Sequence, residues 1–302
     1  MKKLLRQSIL VACAFAMLTG GLCYASGTKP PSNANDSFVT IPTNGNKIDL
    51  GPTIELDAKG YPTKDSRQIL LDEVAFQGAV AAYLQSIPRM SMYGSLKSAH
   101  YYGATGNTDI FIQYKDPSVD GMLTPNRVVA YVWNYANLEK TGPLVYEFPA
   151  GATAGIIMDI QMRWYADLGT TSPLGGHQMV KYLLLTEGQE IPDGINRDKM
   201  EYEVVRIRTS HVSFIYRVLD PVKTPGLEKA LKVYPYADRA NPKPNKFFQA
   251  KKEDDTYFMT PPVGMAYWKQ LHELIQVERV NEADRYMLAR LKVVSIEKGK
   301  PF

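Results

Sequence analysis

The sequence predicts an α+β fold that is mainly β: an antiparallel β-sandwich or jelly-roll-like domain with an N-terminal helix and C-terminal helices. Three observations predict it. Between about residues 108 and 220, short apolar runs recur with a period of two. Gly, Pro and Asp turns separate those runs, leaving no room for a helix between each pair, which argues against a parallel doubly wound sheet. Sustained helical periodicity is confined to 65–87 and to a tail at about 261–302.

The chain opens with Lys2, Lys3 and Arg6, an apolar stretch from Ile9 to Leu18, Gly20-Gly21, and Cys23-Tyr24-Ala25. That order reads as a secretory signal peptide cleaved near Ala25, too short for a membrane span of ~20 residues. Leu10-Val11-Ala12-Cys13 resembles a lipoprotein box, but cleavage there would leave Ala14 to Leu18 exposed. The expected location is the periplasm or the exterior, with no stable membrane span after cleavage. Cleavage removes three of the 35 Lys and Arg and none of the 31 Asp and Glu, so the remaining chain is nearly neutral. A neutral protein has no net field to hold it on nucleic acid. Both cysteines, Cys13 and Cys23, leave with the leader, which predicts a core without disulfides.

Residues 26–64, rich in Gly, Pro, Asn and Thr, read as a flexible arm, and the β-rich domain follows at 65–302. Asp65 offers an N-cap with Gln68 three residues on, and Leu70, Val74, Ala81 and Leu84 recur at helical spacing until Pro88, where the helix is expected to end. Strands are expected at Ile110–Tyr114, Val128–Trp133, Leu144–Phe148, Met179–Leu185, Tyr202–Arg208 and Val212–Val218. One long strand is expected from Ile156 to Trp164, with Ile156, Met158, Ile160, Met162 and Trp164 on one face. Short helical signals follow at Gly226–Val233, then a Lys- and Pro-rich linker at Ala240–Asp255. Met265, Trp268, Leu271 and Ile275 mark a helix over Val263–Val277, and Asn281 and Asp284 open a last one.

Five segments carry a family likeness: Thr124–Tyr131, Gly142–Phe148 with Pro149, Gly176–Leu185, Pro192-Asp193-Gly194, and Ile296-Glu297-Lys298-Gly299-Lys300-Pro301-Phe302. Their order and spacing, from about Asp72 onward, resemble the domain of unknown function family 1254. The resemblance implies a β-rich domain, usually followed by a second one of family 1214, and implies no chemistry. The expected partner is therefore a separate polypeptide of the 1214 type, or a second copy of this chain. Where many relatives carry Asn-x-Asp-Thr-x-Tyr, this chain has Asn126-Arg127-Val128-Val129-Ala130-Tyr131, so no role of that aspartate carries over.

Several residues are candidates for chemistry. Asp159, Gln161 and Arg163 would form a polar row on the long strand, with Trp164 and Asp167 beyond them as an aromatic wall and a further acid. The alternative is a solvated sheet face with an Asp-to-Arg ladder. Arg206 and Arg208 share a strand face suited to a carboxylate or phosphate, or to acidic neighbouring strands. His177, after Gly175-Gly176, stands at a strand entrance as a ligand-facing or a plain turn residue. Tyr93, Tyr101, Tyr102, Tyr131, Tyr135 and Tyr165 could stack on a small molecule or pack in the core. His100, His177, His211 and His272 never fall at metal-ligand spacing, and neither a nucleophile elbow nor a phosphate loop is present, so neither a metal nor a cofactor is expected. The sequence favours an exported binding or assembly module. The alternative is a hydrolase or lyase using Asp159, Arg163, Asp167 and His177, which requires those side chains to converge.

Overall fold

A computed structural model describes residues 54–113, 121–122, 128–174, 176–195, 201–223, 225–251, 254 and 256–302. The expected signal peptide, most of the expected arm and Thr124–Arg127 lie outside them. Of the described residues, those up to Leu70 form one compact unit and those from Leu71 to Phe302 a second. In the first, a bridge joins Leu56 to Pro62, and Asp57 Oδ1 accepts from the Lys59 and Tyr61 amides. Helix α1, Lys64–Tyr101, begins there. Its cap is Thr63, whose Oγ1 accepts from the Ser66 amide at 3.3 Å, not Asp65.

Helix α1 does not end at Pro88 but runs through it. An interior proline costs about 3 kcal/mol. The compensation lies beyond it: Met90, Met92, Leu96 and Ala99 are all buried, whereas Leu71, Val74, Phe76 and Leu84 before it are exposed.

Among the described residues of the second unit, ten strands form two sheets. The strands are β1 Ile110–Gln113, β2 Tyr131–Asn137, β3 Leu144–Phe148, β4 Thr153–Asp159, β5 Trp164–Gly169, β6 Val180–Thr186, β7 Glu203–Ile207, β8 His211–Val218, β9 Lys232–Pro235 and β10 Phe247–Phe248. A six-stranded sheet has the order β10-β1-β2-β8-β4-β5, and a four-stranded sheet the order β7-β6-β3-β9. The fold is α+β, mainly β. The sheets are mixed and not wholly antiparallel, because β1 pairs with β10 and β6 with β7 in parallel.

Three apolar clusters explain the strand sequences. Leu144, Tyr146, Phe148, Tyr182 and Leu184 of the smaller sheet meet Ile112, Val132, Ile157, Phe214 and Tyr216 of the larger one. The smaller sheet is also buried on its other face, where Val145, Leu183 and Leu185 pack against Ile191, Tyr202 and Tyr236. Strands buried on both faces need apolar side chains at every position, hence the unbroken runs at 144–146 and 182–185. The larger sheet's second face carries Phe111, Trp133, Tyr135 and Met158 against α1 and helix α3, Met265–Val277. A one-turn helix, α2 at Leu138–Thr141, joins β2 to β3, and α4, Arg285–Leu291, follows α3.

Three further expectations are corrected. Gly226–Val233 is a 3-10 turn at Leu227–Lys229 followed by β9, not a helix. The segment read as a linker contributes β10 to the large sheet. The long strand from Ile156 to Trp164 is a hairpin. Between β4 and β5, Ile160, Gln161 and Met162 form a three-residue loop, closed by the Met162 amide donating to Asp159 O and the Asp159 amide to Arg163 O. Such loops place one residue in the left-handed region, and here it is Met162, with φ 59°.

Candidate functional site

The hairpin turns the expected polar row into a buried ionic cluster. Asp159 is fully buried and clamps the loop: its Oδ1 accepts from the Gln161 and Arg163 amides at 2.8 and 3.1 Å. Its Oδ2 accepts from Arg163 Nε at 2.7 Å and from the Tyr165 hydroxyl at 2.9 Å. Burial pushes the Tyr165 hydroxyl up to about 12, with Asp159 adding to the rise. Arg163 reaches on to Asp284, its Nη1 2.9 Å from Oδ1. Asp284 stands in a 3-10 turn before α4 and also accepts from Asn281 at 2.6 Å and from Arg89 of α1 at 3.2 Å. Gln161 Nε2 completes the cluster at 3.4 Å from Asp284.

Two arginines and two aspartates thus balance in a site that joins α1, the β4–β5 hairpin and the chain's last fifth. Burial pulls the Arg89 guanidinium below its ordinary value, while Asp284 opposes that shift. The cluster is a brace whose carboxylates are already saturated with donors. Nearby, Glu278 closes α3: its Oε2 accepts from the Ser210 amide at 2.9 Å, and its Oε1 pairs with His211 Nδ1. Lys298 donates to the carbonyls of Gln276 and Glu278 at the end of α3, so the closing Ile296–Phe302 motif is a helix cap.

The remaining candidates sit elsewhere. Trp164 is exposed, and its indole N–H donates to Asp167 Oδ1 at 3.2 Å. Arg206 donates to the Gln189 carbonyl at 2.8 Å, and Arg208 pairs with Glu187 at 3.3 Å, so both hold the connection after β6. His177 is exposed, beside Gly176, whose carbonyl accepts from the Gly151 amide at the head of β4. Asp159 ends the same strand, and β4 spans about 20 Å at ~3.3 Å per residue. Asp159, Arg163 and His177 are therefore not brought to one substrate. Of the tyrosines, Tyr93, Tyr102 and Tyr135 belong to the core against the helices. No group of metal-ligating side chains occurs among the described residues, and no described helix is long and apolar enough to cross a membrane.

Two of the clefts among the described residues bear on function. One is a groove of about 280 Å³ between α1 and the start of α3, lined by Tyr83, Ile87, Pro261, Pro262, Val263 and Trp268. Tyr83 lies in ring contact with Tyr267 and Trp268, and Val263 is exposed at the groove, as are Leu84 and Met265, next in sequence to lining residues. The other is a cleft on the helix-facing side of the larger sheet, beyond the reach of the helices, lined by Tyr131, Ile156, Asp167, Thr171, Ile215 and Arg217 among others. The pairing of β2 with β8 sets Tyr131 opposite Arg217.

These features define a mainly β, two-sheet domain braced by a buried ionic cluster and open at an apolar helical groove. Residues 107–235 match the family described as Protein of unknown function (DUF1254), which is consistent with a domain of that family over that part of the chain. Four of the five segments of the sequence likeness start inside the match, and Ile296–Phe302 lies outside it. No curated protein matches the chain. A solved protein of Vibrio parahaemolyticus is similar at 13% identity with a TM-score of 0.51, over 76% of this chain and 53% of its own. That likeness is one of fold alone, and the chain spans about half the length of the Vibrio protein. An uncharacterized protein of Burkholderia cenocepacia aligns at 12% identity over 54% of this chain and 44% of its own, with a TM-score of 0.27, too low to establish a shared fold.

Proposed function

We propose that the chain is an exported, periplasmic assembly module that pairs with a second β-rich domain, carried on a separate polypeptide of the 1214 type. The observation that supports this is the groove between α1 and α3, whose lining residues Tyr83 and Val263 are 41 and 79% exposed and whose sequence neighbours Leu84 and Met265 are 55 and 61% exposed. Clustered apolar exposure of this kind marks interaction surfaces. The Vibrio protein of similar fold extends well beyond the part this chain matches, which agrees with a partner of comparable size. The leader is the ground for export. Co-expression of the chain from Ser26 with a separately encoded 1214-type polypeptide tests the pairing. The expected result is a stoichiometric complex on size exclusion, lost in the double variant L84K/V263K while its thermal melt is retained. Two independent monomers, or a complex indifferent to both lysines, would sink the reading.

A further inference from the structure

The cleft on the larger sheet has the makings of a small-molecule site. Strand register puts Tyr131 opposite Arg217, Arg217 opposite Ala154, and Ile156 opposite both Ile215 and Asp167, so these side chains share the face that carries Trp133 and Met158. Trp133 and Met158 are sealed under the helices, whereas Tyr131, Ile156 and Ile215 are only partly buried at that core's margin. The floor is thus apolar and reachable.

Its two walls carry opposite charge. The Arg217 guanidinium is exposed and lies 5.3 Å over the Tyr131 ring. It forms no ion pair among the described residues. The aromatic face orients the guanidinium but leaves its in-plane N–H donors for a planar anion. Across the cleft, Asp167 spends only Oδ1, on the Trp164 indole, and Thr171 adds a hydroxyl. A volume of about 270 Å³ holds roughly nine waters at ~30 Å³ each, the scale of one sugar ring.

We propose that this cleft binds a small hydroxylated carboxylate of monosaccharide size, with Arg217 holding the carboxylate and Asp167 and Thr171 taking the hydroxyls. A dianionic phosphate would face Asp167, and a neutral sugar would leave the Arg217 charge unmatched. The apolar floor of Ile156 and Ile215 suits the C–H face of such a ring. The site is separate from the helical groove, so either proposal can fail alone.

Titration of the chain from Ser26 with glucuronate and with glucose, followed by NMR at the Trp164 indole N–H and assigned with W164F, tests it. Glucuronate is expected to move that resonance and to bind about tenfold or more tighter than glucose, the scale of one charge-assisted contact. R217Q should abolish the preference, and R206Q, far from the cleft, should keep it. Should R217Q not fold, R217K is expected to weaken glucuronate binding, since an ammonium cannot match the carboxylate fork. An unmoved indole resonance, a preference that survives at position 217, or an equal loss in R206Q overturns the proposal.

Discussion

Arg89 and Asp284, 195 residues apart in sequence, form an ion pair of 3.2 Å with side chains only 2% and 6% exposed. The pair is asymmetric. Asp284 accepts from Arg89, Arg163, Gln161 and Asn281, whereas Arg89 has Asp284 as its acceptor and a buried Nε without one.

That asymmetry sets the order of two substitutions. Asp284→Ala strands Arg89 in the interior and should cost about 3–5 kcal/mol. Arg89→Met leaves Asp284 with its other donors and should cost less than half as much. Urea unfolding of both variants measures the difference, and equal losses would remove the asymmetry.

Met162 holds a left-handed conformation, φ 59°, for which a side chain costs about 1–2 kcal/mol. Met162→Gly relieves that strain, at some cost in unfolded-state entropy. A net gain of about 0.5–1 kcal/mol is expected by thermal unfolding, and a loss would show that the Met162 side chain contributes packing its 50% exposure does not suggest.

Alkaline pH should unfold the protein cooperatively. Burial raises the Tyr165 and Tyr267 hydroxyls to about 12, above their ordinary value of 10. The folded state therefore binds these protons more tightly than the unfolded state, and their stabilisation is full below pH 10 and lost as pH rises toward 12. Tyrosinate absorbance and circular dichroism should change together in that window. Independent titration of the tyrosines before any loss of structure contradicts this.

Lys298 satisfies carbonyls at the end of α3, and Lys298→Ala should lower stability by about 1 kcal/mol. Hydrogen exchange should rise first in the last turn of α3. Exchange that rises instead along α1 would place the effect elsewhere.

Much of the architecture is legible in the sequence because apolar periodicity records which faces are buried. Leu144–Phe148 is a strand over the very residues that its apolar run marks, and α3 begins and ends within two residues of its expected span. The hairpin at 160–162 is not legible. Its turn uses Ile, Gln and Met with no Gly, Asn or Pro, so the alternation of Ile156, Met158, Ile160, Met162 and Trp164 continues straight through it. The clamp that makes this possible is Asp159, whose side chain performs what a turn residue does elsewhere. Pro88 misleads in the opposite sense, because local propensity marks a stop that burial of the next two turns overrides. The ionic cluster was half visible. Asp159 and Arg163 stand out as a polar row, but Arg89 could be flagged only as a lone cation within an apolar helical stretch, and its partner lies in the tail.

The same long-range pairing governs how the chain acquires its structure. Residues 89 and 284 meet only after nearly the whole domain has been made, and β1 waits for β10. Contacts of such sequence separation slow folding, since loop-closure entropy is lost before they form. The second half of α1, with its proline and its stranded guanidinium, has no burial to stabilise it until α3 and the turn at Asp284 arrive. This half of α1 is thus among the last parts of the domain to settle, and it stays open, and pliable to handling by other factors, until α3 and the turn at Asp284 are present.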